Sequence, residues 1–279
     1  MKEPQNEALS VDALLLARSY LYALFGKVFS GEPDGTLVQT LSDTNTLDAL
    51  EEYSSESVAL GELRDYLRGL SAFVGDEAAI DRARSEFTRV LIGPATLPAL
   101  CWGSPYESKD PALFQRGTLE VREAYERNGL VPSRILHVPD DHLALECNFM
   151  AEMGRRCITL FEAGQLDALA ESIKVQKSFL DRHMLGWVPL YASGLERSGK
   201  APFYSQLASG IAELVRLDST FLGEVLFWLE AGKSESSPGG LSQAMKNCAE
   251  TLLEFRSAIE HVLELSPKFS EEYALVAIY

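Results

Sequence analysis

The stretch Val138-Pro139-Asp140-Asp141-His142-Leu143-Ala144-Leu145-Glu146 concentrates three carboxylates and a histidine within seven residues. Such a set suits several kinds of chemistry. A carboxylate beside an imidazole supports general acid–base catalysis. Grouped Asp, Glu and His can ligate a metal. Carboxylates alone receive guanidinium or ammonium groups through charge-assisted hydrogen bonds. The same residues also suit a purely structural purpose. Proline is favoured at the first position of a helix and pushes the residue before it out of the helical region, so Pro139 reads as a helix start. Asp140 and Asp141 then fall in the first turn, where carboxylates accept backbone N–H groups and oppose the helix dipole. His142 and Glu146, four apart, share one helix face, and an ionised Glu146 would orient the imidazole or favour its protonated form.

The rest of the chain narrows these options. A di-metal site in a helical bundle uses Glu-x-x-His, which does not occur here, and the chain has only four histidines, His137, His142, His183 and His261. A Ser-His-Asp hydrolase would need a Gly-x-Ser-x-Gly turn on a strand framework, and neither is present. GLERSGKA at 194–201 approaches a phosphate loop, but Ala201 stands where the magnesium-binding hydroxyl belongs, so it reads as a helix end and a turn. The formal net charge of −16 repels nucleic acid, and either favours basic partners or simply keeps the chain soluble. Cys101, Cys147, Cys157 and Cys248 form no Cys-x-x-Cys pair, which fits a reducing compartment. MKEPQNEALS has no apolar core of signal-peptide type, and no run of about eighteen apolar residues follows, so a cytoplasmic protein without a membrane span is expected.

The elements that must position these residues are helical, and the fold class is all-α. Apolar residues from Val11 through Leu14, Leu15, Leu21, Leu24, Phe25 and Val28 recur at three-four spacing until Gly31 and Pro33. Leu47 to Leu70 is helical in pattern, with Gly61 inside it. Asp76 reads as the N-cap of a helix that Gly93-Pro94 stops. GPATLPALCWGSPYESKDP, with four prolines and two glycines in nineteen residues, cannot hold a regular element. Its Leu97, Leu100, Trp102 and Tyr106 must pack on the helices or line a pocket. A short helix over 117–128 ends at Gly129, and VPSRILHVP follows as an extended linker. Beyond the helix begun by Pro139, which stops at Gly164, further helices are expected at 166–183, 184–197, 203–217, 218–231 and 241–265. Gly232–Gly240 is expected to be a flexible surface loop. No strand alternation or internal repeat stands out. The expected organisation is a flexible 1–10, one helical domain over 11–265 and a tail over 266–279. Its halves, about 11–130 and 139–265, are joined by a hinge at 130–138.

Five blocks in order, EFTRVLIGPATLP (86–98), CWGSPYES (101–108), VPDDHLALECNFM (138–150), QKSFLDRHMLGWVPLY (176–191) and APFYSQLASGIAELV (201–215), resemble one family. It is the TorD/DmsD family of cytoplasmic redox-enzyme maturation chaperones, and the resemblance covers roughly residues 11–230. It implies a helical, non-enzymatic chaperone that binds the twin-arginine signal peptide, the body, or both, of a molybdopterin-containing oxidoreductase catalytic subunit. The client is held until its cofactor is inserted and only then exported. By position, Pro139, Asp141 and His142 match the family's Pro-x-Asp-His element. Trp102, Gly103 and Ser104 match its Trp-Gly-Ser segment, and Glu107 and Ser108 an acidic-Ser pair. Where some members carry an aromatic after Ala-Leu-Phe, this chain has Gly26-Lys27. The resemblance implies no cofactor, though weak guanine-nucleotide binding has been suggested for relatives. It also implies a monomer able to exchange halves as a domain-swapped dimer.

The residues agree with that chemistry on their own terms. Two guanidinium groups need carboxylates, for which Glu107, Asp140, Asp141 and Glu146 are the candidates. The apolar segment behind them needs a groove, for which Leu97, Leu100, Trp102, Tyr106 and Phe149 are the candidates. The bland alternatives stand beside these: Trp102 as a core anchor, Glu107 as a cap of the next helix, His142 as a structural histidine fixing the hinge.

Overall fold

Helix α1 (Val11–Ser30) forms the centre of the molecule, and from Leu14 onward nearly every one of its side chains is buried. A helix apolar on all sides must be surrounded, and this one is. The computed structural model describes residues 11–54, 56–93, 96–107, 116–134, 137–234, 249–268 and 270–278. Around α1 lie α2 (Gly35–Leu41), α3 (Thr44–Ser54), α4 (Val58–Leu70), α5 (Glu77–Phe87), α6 (Ser104–Glu107), α7 (Arg116–Arg127), α8 (Leu143–Glu162), α9 (Leu166–Phe179), α10 (Val188–Ser198), α11 (Pro202–Ser234) and α12 (Ala249–Glu264). Among the described residues the fold is all-α apart from one pair of three-residue strands, β1 (Leu130–Pro132) and β2 (Leu275–Ala277).

The principal seam runs between α1 and α8. Small residues bring the two backbones close. A Cβ added at Gly154 would lie 2.9 Å from the Ser19 Cβ, and one at Gly26 would lie 3.1 Å from the Asn148 Cγ. At Gly26 the helix thus lies directly against the Asn148 side chain of α8. Ser19 Oγ donates across the seam to the Ala151 carbonyl at 3.1 Å. Arg18, wholly buried on α1, donates to both Asp218 oxygens on α11 at 2.8 Å and to Gln176 Oε1 on α9 at 2.6 Å. This bidentate pair is the geometry that makes a buried guanidinium tolerable.

Several local expectations hold. Asp76 Oδ1 accepts the Ala78 and Ala79 N–H groups and caps α5. Gly129 and Gly164 adopt positive φ, 71° and 66°, just past helix ends, where a side chain would be strained. Others need correction. Pro139 does not start a helix: Pro139–His142 is a turn, with the His142 N–H donating to the Pro139 carbonyl at 3.0 Å, and α8 begins at Leu143. Asp140 and Asp141 thus precede the helix, because Asp141 is committed to the 101–104 segment instead. The 47–70 pattern is two helices, with Ser57 capping the second. The expected pair 203–217 and 218–231 is one continuous helix. Asp218 does not start a new helix, because its carboxylate is satisfied across the core by Arg18. Gly232–Ser234 belong to that helix; the rest of the expected loop, residues 1–10, and the stretch before Ala249 lie outside the described residues. The stretch read as an extended linker and the tail pair as antiparallel β1 and β2, with Val131 opposite Val276. Three residues are too few to show alternation in a sequence.

Candidate functional site

The Pro139–His142 turn meets the 101–104 segment as a short antiparallel bridge between Trp102 and His142. Its backbone bonds run both ways, Gly103 N–H to the Asp141 carbonyl and Leu143 N–H to the Cys101 carbonyl, each at 3.0 Å. The buried Asp141 carboxylate completes the clamp. It accepts the Ser104 N–H at 2.5 Å, the Ser104 hydroxyl, and the Thr118 hydroxyl of α7 at 3.1 Å. Ser104 and Thr118 hydroxyls are 2.8 Å apart. One carboxylate thereby ties together the loop, α7 and the start of α8.

Asp140 faces the other way and is fully buried. Arg122 approaches it with Nε at 2.8 Å and Nη2 at 2.6 Å, and the Tyr125 hydroxyl donates to its carbonyl at 2.9 Å. Burial raises its pKa, and the Arg122 guanidinium works against that rise. His142 is the N-cap of α8: its Nδ1 accepts the Ala144 N–H at 3.2 Å. Burial pushes its pKa down to about 3, so the imidazole is neutral, and its ring packs 4.6 Å from that of Tyr273. The expectation that Glu146 would charge His142 is therefore reversed. Glu146 is itself fully buried, with neither oxygen hydrogen-bonded, and burial, then Asp141 and Glu107, push its pKa well above the ordinary range. The Trp187 indole N–H favours its ionised form but falls outside hydrogen-bond geometry.

Trp187 forms the floor beneath the loop. The Tyr106 ring stacks on it at 5.7 Å, and a Cβ at Gly103 would come within 3.0 Å of its indole nitrogen. Gly103 is thus required by the close approach of the loop to Trp187. The Tyr106 hydroxyl accepts the Leu100 N–H at 3.1 Å and donates to the Leu100 carbonyl at 2.9 Å, which fixes the loop's own shape.

The predicted residues therefore separate by exposure. Gly103, Ser104, Asp140, Asp141, His142 and Glu146 are buried; Leu97, Leu100, Trp102, Tyr106 and Pro139 are half-buried; Glu107 is exposed. Of the four candidate carboxylates, only Glu107 reaches solvent, and its pKa is raised by partial burial, then by Asp141 and Glu120. Ser108 lies outside the described residues. Phe149, expected in a groove, is a core residue, 4.5 Å from Phe179 and 5.1 Å from Tyr125 between ring centroids. Thr118, Arg122, Trp187 and Tyr273 were not singled out from the sequence. Only Trp187 carried a signal, as a large aromatic inside the fourth of the five blocks; a Thr or Arg on an amphipathic helix looks like any solvated one.

The profile of the family described as "Nitrate reductase delta subunit" matches residues 52–193, just over half of the 279 residues, and it spans the whole loop-and-turn site. The chain belongs to this family. Among similar proteins is the "Chaperone protein TorD" of Vibrio parahaemolyticus, 24% identical over 208 residues, covering 74% of this chain and 94% of the relative. The protein of the same name from Aliivibrio fischeri is 24% identical over 198 residues, covering 67% and 91%. That from Vibrio atlanticus is 24% identical over 176 residues, covering 63% and 79%. No solved structure gives a significant match. The chain is thus of the TorD chaperone type, a family of chaperones rather than enzymes, as its five sequence blocks imply.

Proposed function

We propose that this chaperone binds the twin-arginine signal peptide of a molybdopterin-containing oxidoreductase subunit in the cytoplasm, and holds that subunit until its cofactor is in place. The observation that carries this reading is the division of labour within the site. Asp141 and His142 are buried and engaged, so they position the 97–107 loop and do not touch a ligand. The loop in turn presents Leu97, Trp102 and Tyr106 beside the exposed Glu107. An apolar strip next to a carboxylate matches a ligand with arginines ahead of an apolar segment. The net charge of −16 raises the encounter rate of such a ligand. An acid–base enzyme has less support: both Asp141 oxygens and His142 Nδ1 are already occupied.

The test is a fluorescence titration of the protein with a twin-arginine peptide, against the same peptide carrying two lysines. The expected result is saturable, salt-weakened binding that prefers arginine. Glu107→Gln should weaken it with no loss of stability, whereas Asp141→Asn should weaken it together with a loss of about 1–3 kcal/mol in stability. Equal binding of both peptides, or no effect of Glu107→Gln, would refute this assignment of the site.

A further inference from the structure

Residues 270–278 lie along a strip of backbone and side chains that reads as a peptide-binding groove. Its floor is the hinge. The Ser133 N–H donates to the Ala274 carbonyl at 2.8 Å, the Ser133 hydroxyl to the Glu271 carbonyl at 3.0 Å, and the Ile278 N–H to the Gly129 carbonyl at 2.9 Å. From α8, Asn148 Nδ2 donates to the Tyr273 carbonyl at 2.7 Å, and the His142 ring receives the Tyr273 ring. Arg134 stands 3.9 Å from Glu271 and 3.7 Å from Glu272. Each contact reads one feature of the occupant: paired acids, then an aromatic, then extended apolar backbone.

We infer that Gly129–Arg134, His142 and Asn148 form a binding groove for an extended acidic–aromatic–apolar peptide, filled by the chain's own C-terminus, and that its occupancy holds the 97–107 loop in place. The occupant is held lightly. Its strand is three residues long, Val276 and Ile278 are about half exposed, and Tyr273 is only half-buried. A lone two-stranded pairing is marginal in water, so this segment sits at the low-stability end of the fold. The route to the loop is short. Tyr273 packs on His142, whose backbone bridges Trp102 and whose neighbour Asp141 holds Ser104. The groove is a different surface from the one proposed above for arginine peptides: Arg134 selects acids there, whereas Glu107 selects bases at the loop. That the 97–107 loop receives a ligand rests on that earlier reading; the groove and its hold on the loop do not.

The test uses a chain ending at Pro267 and, in case that variant is poorly folded, full-length Tyr273→Ser and Ile278→Pro. The last removes the N–H given to Gly129. A labelled peptide, EEYALVAIY, is titrated into the shortened chain, and amide hydrogen exchange is followed at 99–107 and 138–146. Saturable binding of the peptide is expected, with none to the intact chain, whose groove is filled. Exchange in both stretches should be about tenfold faster in all three variants, and the added peptide should restore it in the shortened one. Failure of the peptide to bind a folded shortened chain, or unchanged exchange in Tyr273→Ser and Ile278→Pro, overturns the inference. Neither readout uses a signal peptide, so this result stands or falls independently of the proposed function.

Discussion

His142 and Glu146, one turn apart, are both kept neutral by burial, and this gives them opposite effects on stability. Folding lowers the His142 pKa from 6.5 to about 3, so the unfolded chain binds the extra proton between those values. Stability is full above pH 6.5 and falls as pH drops toward 3. Folding raises the Glu146 pKa above its ordinary 4.5, so the folded chain holds the extra proton, and stability falls as pH rises from 4.5. Each limb has a limiting slope of about 1.4 kcal/mol per pH unit. His142→Asn keeps a capping acceptor for Ala144 and should flatten the acid limb. Glu146→Gln should flatten the other and be more stable than the parent at neutral pH. Urea unfolding across pH, read as differences from the parent, decides both. Parallel curves for parent and variant would show that the group in question does not titrate on unfolding.

Among the elements, the stretch over 97–107 ends in the short helix α6 (Ser104–Glu107), a regular turn where the proline density predicts none; the rest is irregular but fixed in place, clamped by Asp141 above and Trp187 below. Gly103→Ala should therefore cost about 1–3 kcal/mol by overpacking against the indole, and tryptophan emission should shift with it. An unchanged melting temperature would mean that Trp187 yields freely. Much at this scale was legible in the residues. Asp76, Gly129 and Gly164 declared their helix ends, and the proline-rich stretch with its apolar residues declared a packed loop. The start of α8 was not legible, because Pro139-Asp140-Asp141 is a good helix opening by every local rule. It is overridden by the hydrogen bonds of Asp141 to Ser104 and Thr118, 37 and 23 residues away. For the same reason the carboxylates could be listed but not sorted. Nothing local distinguishes Asp140, neutralised by Arg122, from Glu107 in solvent.

For the whole molecule, the buried Arg18–Asp218–Gln176 group joins the first half of the chain to the second. Removing one partner, as in Asp218→Leu, leaves a buried guanidinium without its carboxylate and should cost about 3–5 kcal/mol. The double variant Arg18→Met with Asp218→Leu should recover most of that loss in urea unfolding. If it fails to recover, the group's value lies in shape and not in charge. The same contact governs the order of events at the ribosome. Arg18 is made early, and its partner is 200 residues further along. Synthesis at ~5–20 residues per second puts at least about ten seconds between them. Throughout that interval the central helix carries a cation that its finished surroundings would bury, so it cannot close its core. A chaperone of this kind is thus itself unfinished until most of its own chain has emerged.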